Sequence, residues 1–244
     1  MDTVMEESRA RMPAHAPVSV IVPCFNAAAY LGAALESIVT QDPTPAEIIV
    51  VDDGSSDASA GIAQDFGRSV CVIRQANAGI AASRNRGVDA STATLLAFLD
   101  ADDLWPAGSL ARRIAVLATR PDAECVYGAI EQFVTPELDA EARTRLAPIA
   151  ATMPGRFAGS MLVRRAAFTR VGPFDASLRI GETLDWVARA AEAGLVGVSI
   201  PEVVLRRRIH GANTVMRERQ RQNDYIRALH ASLLRRRARI DGDD

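Results

Sequence analysis

Three short apolar runs constrain the fold most: Val18 to Val22 (VSVIV), Glu47 to Val51 (EIIVV) and Leu95 to Leu99 (LLAFL). Each is too short for a helix, and none alternates apolar with polar as a half-exposed strand does. A fourth run covers Val70 to Ile73. Helical segments separate them. Ala27 to Val39 places Leu31, Leu35 and Ile38 on one face, with Asn26 as its N-cap. Asp57 caps a segment reaching Phe66, and Ala78 to Ala90 is helical in composition. Buried strands alternating with helices predict an α/β fold: a mostly parallel, Rossmann-like sheet flanked by helices.

Beyond Asp103 the pattern is looser. Ser109 to Thr119 reads as a helix, Glu124 to Tyr127 as a strand, and Thr135 to Ala150 as a polar helical insertion. Gly155 to Val163 is extended, and Leu184 to Ala193 is an amphipathic helix. Met216 to Ile240 carries a helical stripe of Ile226, Leu229, Leu233 and Ile240. The reading is a leader over 1–16, one catalytic domain over 17–213, and a basic C-terminal helix over 214–244. The leader lacks the apolar stretch of a secretory signal.

Composition excludes several classes. The 244 residues are 48% hydrophobic, enough for a core without disulfide staples. No apolar run approaches the roughly 18 residues of a membrane span. There is no lysine, so a P-loop lysine and a lysine Schiff base are ruled out. The three cysteines, Cys24, Cys71 and Cys125, are odd in number and far apart, which fits a reducing cytoplasm rather than a disulfide framework or zinc site. Cys71 and Cys125 read as small buried hydrophobes within strands.

The net charge of −2 hides an asymmetry. Residues 1–205 hold 17 arginines against 25 acids, and residues 206–239 hold 11 arginines against two. The simplest reading of that basic end is a helix with a packed stripe and a solvated basic face. Peripheral contact with an anionic membrane is the next reading. Aromatic side chains are nearly absent from it, which argues against nucleic acid as a partner.

Parallel sheets bind ligands outside the carboxyl ends of their strands. Here those ends carry Pro23-Cys24-Phe25-Asn26, then Asp52-Asp53-Gly54-Ser55-Ser56-Asp57, then Asp100-Ala101-Asp102-Asp103. Crowded carboxylates repel unless a cation or a donor-rich ligand lies between them. A divalent ion held by one or two carboxylates and by diphosphate oxygens meets that need. Asp52 and Asp57 also read simply as turn and cap residues.

These strings, with Asn77-x-Gly79 and Ser83-Arg84-Asn85-x-Gly87 between them, resemble family 2 glycosyltransferases in order and spacing over about residues 17–213. The resemblance implies a GT-A fold and a nucleotide-activated sugar as partner, with an acceptor of unknown class. It implies that Pro23 and Phe25 flank a nucleobase and that Asp53 accepts its N–H. Arg84, Asp100 and Ala101 would line the donor site, with Asp100 on the ribose. Asp102 would hold Mg²⁺ or Mn²⁺, and His210 would join it or the diphosphate. Phe157 to Val163 resembles the acceptor-side glycine loop, and Val171-Gly172-x-Phe174-Asp175 a turn that follows it. Gly181-Glu182-Thr183-Leu184-Asp185-Trp186 resembles the segment that supplies the catalytic base, with Thr183 where aspartate is usual. Glu182 and Asp185, three apart on one helix, are then the candidates. Inversion at the anomeric carbon is likewise implied by the family.

Two other readings stand beside this one. Thr183 admits a catalytically silent sugar-nucleotide binding protein. A nucleotidyltransferase also uses a parallel sheet and an acidic metal site, but its glycine-rich, basic opening loop is missing after the first strand.

Overall fold

The structure is a computed structural model that describes residues 15–148 and 150–210. The first half follows the predicted alternation. Strand β1 (His15–Cys24) leads to helix α1 (Leu31–Val39), β2 (Thr44–Asp52) to α2 (Ser59–Asp65), and β3 (Cys71–Arg74) to α3 (Ile80–Ala90). Then come β4 (Leu95–Phe98), α4 (Ser109–Thr119), β5 (Cys125–Val134), α5 (Ala140–Leu146), β6 (Thr152–Met153), β7 (Met161–Arg164), α6 (Arg165–Val171), α7 (Glu182–Glu192) and β8 (Gly197–Ile209).

One sheet contains all eight strands, in the order β3-β2-β1-β4-β7-β5-β6, with β8 on the other edge of β5. The pairs β1–β2, β1–β4, β2–β3 and β5–β8 are parallel; β7 runs antiparallel between β4 and β5. The sheet is therefore mixed but mostly parallel, as predicted.

Strand β1 shows why its sequence is mostly apolar, with Ser19 as a buried polar residue that donates to Glu47. Val18, Val20 and Val22 pack into one cluster with Leu31, Leu35 and Ile38 of α1. Ile21 points the other way, against Ala81 of α3, Leu96 and Phe98. Helices cover both faces, so the run has no exposed side on which to place polar residues. Helix α3 comes so close that a Cβ at Gly87 would lie 2.4 Å from Cγ2 of Ile21.

Several expectations need correction. Helix α1 begins at Leu31, and Asn26 does not cap it: Asn26 has φ +49° and its Oδ1 accepts from the Ser56 N–H at 2.9 Å. Helix α2 begins at Ser59 with Ala58 as N-cap. Asp57 makes a short turn instead, accepting the Ser59 N–H on one oxygen and the Ala28 N–H on the other. Cys71 is exposed, because β3 is an edge strand; Cys24 and Cys125 are buried. Residues 15 and 16, read as leader, already belong to β1. The strand at Glu124 to Tyr127 continues to Val134, where it pairs with β8, an element the sequence did not reveal. The rest of the leader and the C-terminal helix over 214–244 lie outside the described residues. Among the described residues no helix is long and apolar enough to cross a membrane.

Candidate active site

The carboxyl ends of β1 and β2 are laced together through their loops. The backbone N–H groups of Asn26, Ala27 and Ala28 donate to Ser55 Oγ, Ser59 Oγ and Asp57 Oδ2. Asp52 is fully buried; it accepts from the Ser55 N–H and from Nε of Arg74, both at 3.0 Å. These contacts fix the exit of each strand before any ligand arrives. Phe25 stands 50% exposed at this rim, whereas Pro23 is buried in β1. Of the two residues expected to flank a base, only Phe25 presents its side chain to solvent. The Cys24 thiol beneath it is pushed up to about 11, chiefly by burial, and stays protonated.

Asp53 is 3% exposed and organises the next loop. Its Oδ1 accepts from the Ala78 N–H and from Nε2 of Gln75, and its Oδ2 from the Gly79 N–H, each at 2.8 Å. Gly79 has φ +96°, in the region that favours glycine, so the chain turns there and delivers its N–H to the carboxylate. The Asn77-x-Gly79 string and the Asp53 string are thus two halves of one anchor.

The next string, Ser83-Arg84-Asn85, serves three partners. Ser83 Oγ donates back to the Gly79 carbonyl at 3.0 Å. Asn85 clamps the downstream turn reciprocally: its Nδ2 donates to the Phe174 carbonyl at 2.8 Å and its Oδ1 accepts the Phe174 N–H at 2.9 Å. Arg84 is 2% exposed. Its Nη2 donates to Asp100 Oδ1 at 2.6 Å, and its Nη1 donates to Glu182 Oε1. Burial alone would disfavour the charged guanidinium, but Asp100 and Glu182 more than offset it. Its Nε is buried and has no hydrogen-bond partner among the described residues.

The acidic turn after β4 is stitched to β8. Leu104 and Arg206 exchange both backbone hydrogen bonds, at 3.0 and 2.8 Å. The Arg208 N–H donates to Asp103 Oδ1 at 2.8 Å, and Arg208 Nε to the Asp102 carbonyl at 3.0 Å. This pairing carries His210 to Asp102, with Nε2 and Oδ2 3.0 Å apart. The imidazole also lies 4.7 Å from the Tyr30 ring. The three aspartates differ sharply. The side chains of Asp100 and Asp102 are 36% and 28% exposed. Asp103 is buried, and that burial, then repulsion from Asp102 and Asp100, pushes its carboxyl well above the usual range. Ala101 is 6% exposed and packs into the core as the small residue of the turn.

The two expected bases diverge. Glu182 opens α7, is 7% exposed, and accepts from Arg84 and from Thr183 Oγ1 at 3.0 Å. Asp185 is 4% exposed and accepts from Nε of Arg189 at 2.7 Å. Arg189 in turn donates to the Val171 and Pro173 carbonyls, and Trp186 Nε1 to Gly172 O. Asp185 is therefore tied to the turn below the helix, while Glu182 is tied to the crevice through Arg84. Arg208, Gln75 and Tyr30 were not anticipated; the placement of Arg208 two residues before His210 was the available signal.

Among the described residues no group of three or more His, Cys, Asp or Glu gathers. Asp102 and His210 do converge, and Mg²⁺ or Mn²⁺ commonly binds through one or two protein groups and completes its shell with phosphate oxygens and water. The pair fits an ion that arrives with a diphosphate.

The family model described as Glycosyl transferase family 2 matches residues 19–174, which hold all of these strings up to Phe174. The chain belongs to glycosyl transferase family 2. Among family relatives, the PGL/p-HBAD biosynthesis glycosyltransferase of Mycobacterium bovis (strain BCG / Pasteur 1173P2) is 40% identical over 115 residues, 45% of this chain and 45% of that one. The uncharacterized glycosyltransferase YibD of Escherichia coli K12 is 43% identical over 89 residues, 35% of this chain and 26% of that one. This chain thus spans less than half the length of these two relatives. In structure it is similar to the mannosyltransferase PcManGT of Pyrobaculum calidifontis, solved with GDP-Man and Mn²⁺, at TM-score 0.67 and 22% identity over 90% of this chain and 64% of that one. It is also similar to S. aureus TarS 1-349, solved with UDP, at TM-score 0.64 and 18% identity over 80% of this chain and 61% of that one. The fold is the GT-A fold of family 2 enzymes, as the sequence motifs implied.

Proposed function

We propose that this family 2 chain transfers a sugar from a nucleoside-diphosphate sugar to an acceptor hydroxyl, with Mg²⁺ or Mn²⁺ and with inversion at the anomeric carbon. The observation that carries the reading is the convergence of Asp100, Asp102, His210, Arg84 and Glu182 beyond the carboxyl ends of parallel strands. The nucleotides held by the similar structures, UDP in one and GDP-Man with Mn²⁺ in the other, support it.

In this reading Phe25 offers its exposed ring to the nucleobase above buried Pro23, and Asp53 retains one lone-pair site for the base N–H beside its three loop donors. Asp100 accepts from ribose hydroxyls. Asp102 and His210 hold the metal, which when bound neutralises the charge that develops on the departing diphosphate. Glu182 takes the acceptor proton, and Asp185 holds the turn at Val171–Pro173 that supports α7. Thr183 does not remove the base, because the carboxylate of Glu182 stands next to it. That adjacency favours an enzyme over a silent sugar-nucleotide binder.

We place the chain in the cytoplasm, and read the basic end beyond the described residues first as a solvated basic face and second as a contact for anionic membrane. Arg206, Arg207 and Arg208, counted with that basic end in the sequence, belong to β8. Release of UDP or GDP from a panel of nucleotide sugars with Mn²⁺ tests the activity. Binding of a nucleotide sugar without hydrolysis or transfer, together with gain of activity in Thr183→Asp, would establish the silent binder instead.

A further inference from the structure

Arg84 was expected beside the nucleotide, but its guanidinium is almost wholly enclosed and points at two carboxylates of the protein. One comes from the turn after β4 and the other from the head of α7, and the sequence separations are 16 and 98 residues. Phe174 packs on the guanidinium at 5.6 Å, and Asn85, the next residue on α3, holds the Phe174 backbone through two hydrogen bonds. The arginine is therefore fixed from its own helix outward.

We infer that Arg84 is a positioning residue: one guanidinium clamps Asp100 and Glu182 together and holds the Glu182 carboxylate at a set place relative to Asp100. The inference rests on the proposed function for its catalytic meaning, but the clamp itself does not. A general base works only when unprotonated and in reach. Glu182 is 7% exposed, and a carboxylate enclosed to that degree needs a cation or hydrogen-bond donors beside it. Arg84 supplies that cation. The ion pairs at the head of α7 are Arg84 with Glu182 and Asp100, and Asp185 with Arg189 on the same helix; Arg179, three residues before Glu182, brings a further guanidinium beside Gly79 at the start of α3. Asp185 pairs with Arg189, and Arg84 pairs with Glu182. Thr183 adds a hydroxyl donor to the same oxygen where an aspartate would add a second negative charge. The single guanidinium then serves two carboxylates rather than three.

The test uses the full chain and two independent readouts. Thermal midpoints from pH 4 to pH 8 are measured for wild type, Arg84→Gln, Arg84→Lys, Glu182→Gln and the Arg84→Gln/Glu182→Gln double variant. Arg84→Gln leaves the enclosed Glu182 carboxylate without its cation, so the clamp predicts that the variant loses stability relative to wild type as pH rises above the unfolded carboxylate value of about 4.3. The double variant loses that slope, and Arg84→Lys keeps most of the wild-type profile. If Arg84→Gln does not fold, the clamp requires the double variant to be recovered folded. Equal loss at every pH, with no relief in the double variant, would overturn the inference. The second readout is hydrolysis of the nucleotide sugar that wild type turns over best with Mn²⁺. Arg84→Gln should lower kcat at pH 7 at least tenfold, with the acid limb moved to higher pH and a smaller change in KM. An unmoved acid limb speaks against Arg84 acting through Glu182. If wild type hydrolyses no donor while the stability coupling is present, the clamp stands and the functional reading fails.

Discussion

Nε2 of His210 and Oδ2 of Asp102 lie 3.0 Å apart although 108 positions separate them in the chain. The contact is built by backbone pairing. Leu104 and Arg206 exchange hydrogen bonds, Arg208 binds Asp103, and the next turn of strand brings the imidazole over the acidic turn. Tyr30, at the entrance to α1, packs against the other side of the ring.

The arrangement predicts that His210→Ala weakens Mn²⁺-dependent binding of UDP or GDP about tenfold or more, on the scale seen when a group around a bound metal is removed. Binding measured in EDTA should hardly change. Calorimetry with and without metal checks this, and an equal loss in both conditions would assign His210 to the nucleotide rather than to the ion.

Asp53 carries a stability prediction. Replacing it with alanine removes the acceptor of the part-buried N–H groups of Ala78 and Gly79, and a hydrogen bond to a charged group contributes about 1.5–3 kcal/mol. Because water can partly replace the lost acceptor, Asp53→Ala should lose about 1–3 kcal/mol in urea unfolding. Asp53→Asn retains one carbonyl acceptor and should lose less. A midpoint for Asp53→Ala equal to wild type would show that the loop at 75–79 is held by other contacts.

The parts of this architecture that were legible in sequence share a cause. Val20 to Val22, Ile48 to Val51 and Leu95 to Leu99 are buried on two faces, and such strands are apolar nearly throughout. Strand β8 hides because its chemistry is mixed: Pro201 and Glu202 are exposed, and Arg206-Arg207-Arg208 resembles the basic end that follows. Arg208 is in fact buried beneath Asp103, Tyr30 and Phe133. The acidic strings marked the candidate site, but the different surroundings of their carboxylates were not legible. Asp100, Asp102 and Asp103 are the same residue type within four positions, and only tertiary partners make one a buried strut and another a partly exposed acceptor. The separation of Glu182 from Asp185 likewise depends on Arg84 and Arg189, which no helical spacing announces.

At the opposite end of the sheet, Glu47 predicts acid behaviour. Burial would raise its carboxyl, but hydrogen bonds from Ser19, Thr92 and the Ala93 N–H outweigh that and bring it down to about 2. The unfolded carboxyl titrates near about 4.3. The folded value is the lower one, so the stabilisation is complete above the unfolded value and disappears as pH falls through about 2. Glu47→Gln should lower the thermal midpoint at pH 7, and its gap from wild type should narrow between about pH 4.3 and pH 2. A gap of constant size across that range would mean that the charge of Glu47 contributes nothing.

The central claim is that the acidic turn after β4 holds a divalent ion together with a nucleoside diphosphate. Calorimetry of the full chain with UDP and with GDP, in Mn²⁺ and in EDTA, for wild type and Asp102→Ala, tests it most directly. The account predicts that wild type binds one of the two nucleotides in Mn²⁺, at least tenfold more weakly in EDTA, and that Asp102→Ala binds weakly in both. Binding of equal strength in wild type and Asp102→Ala, unchanged by removing the metal, would contradict it.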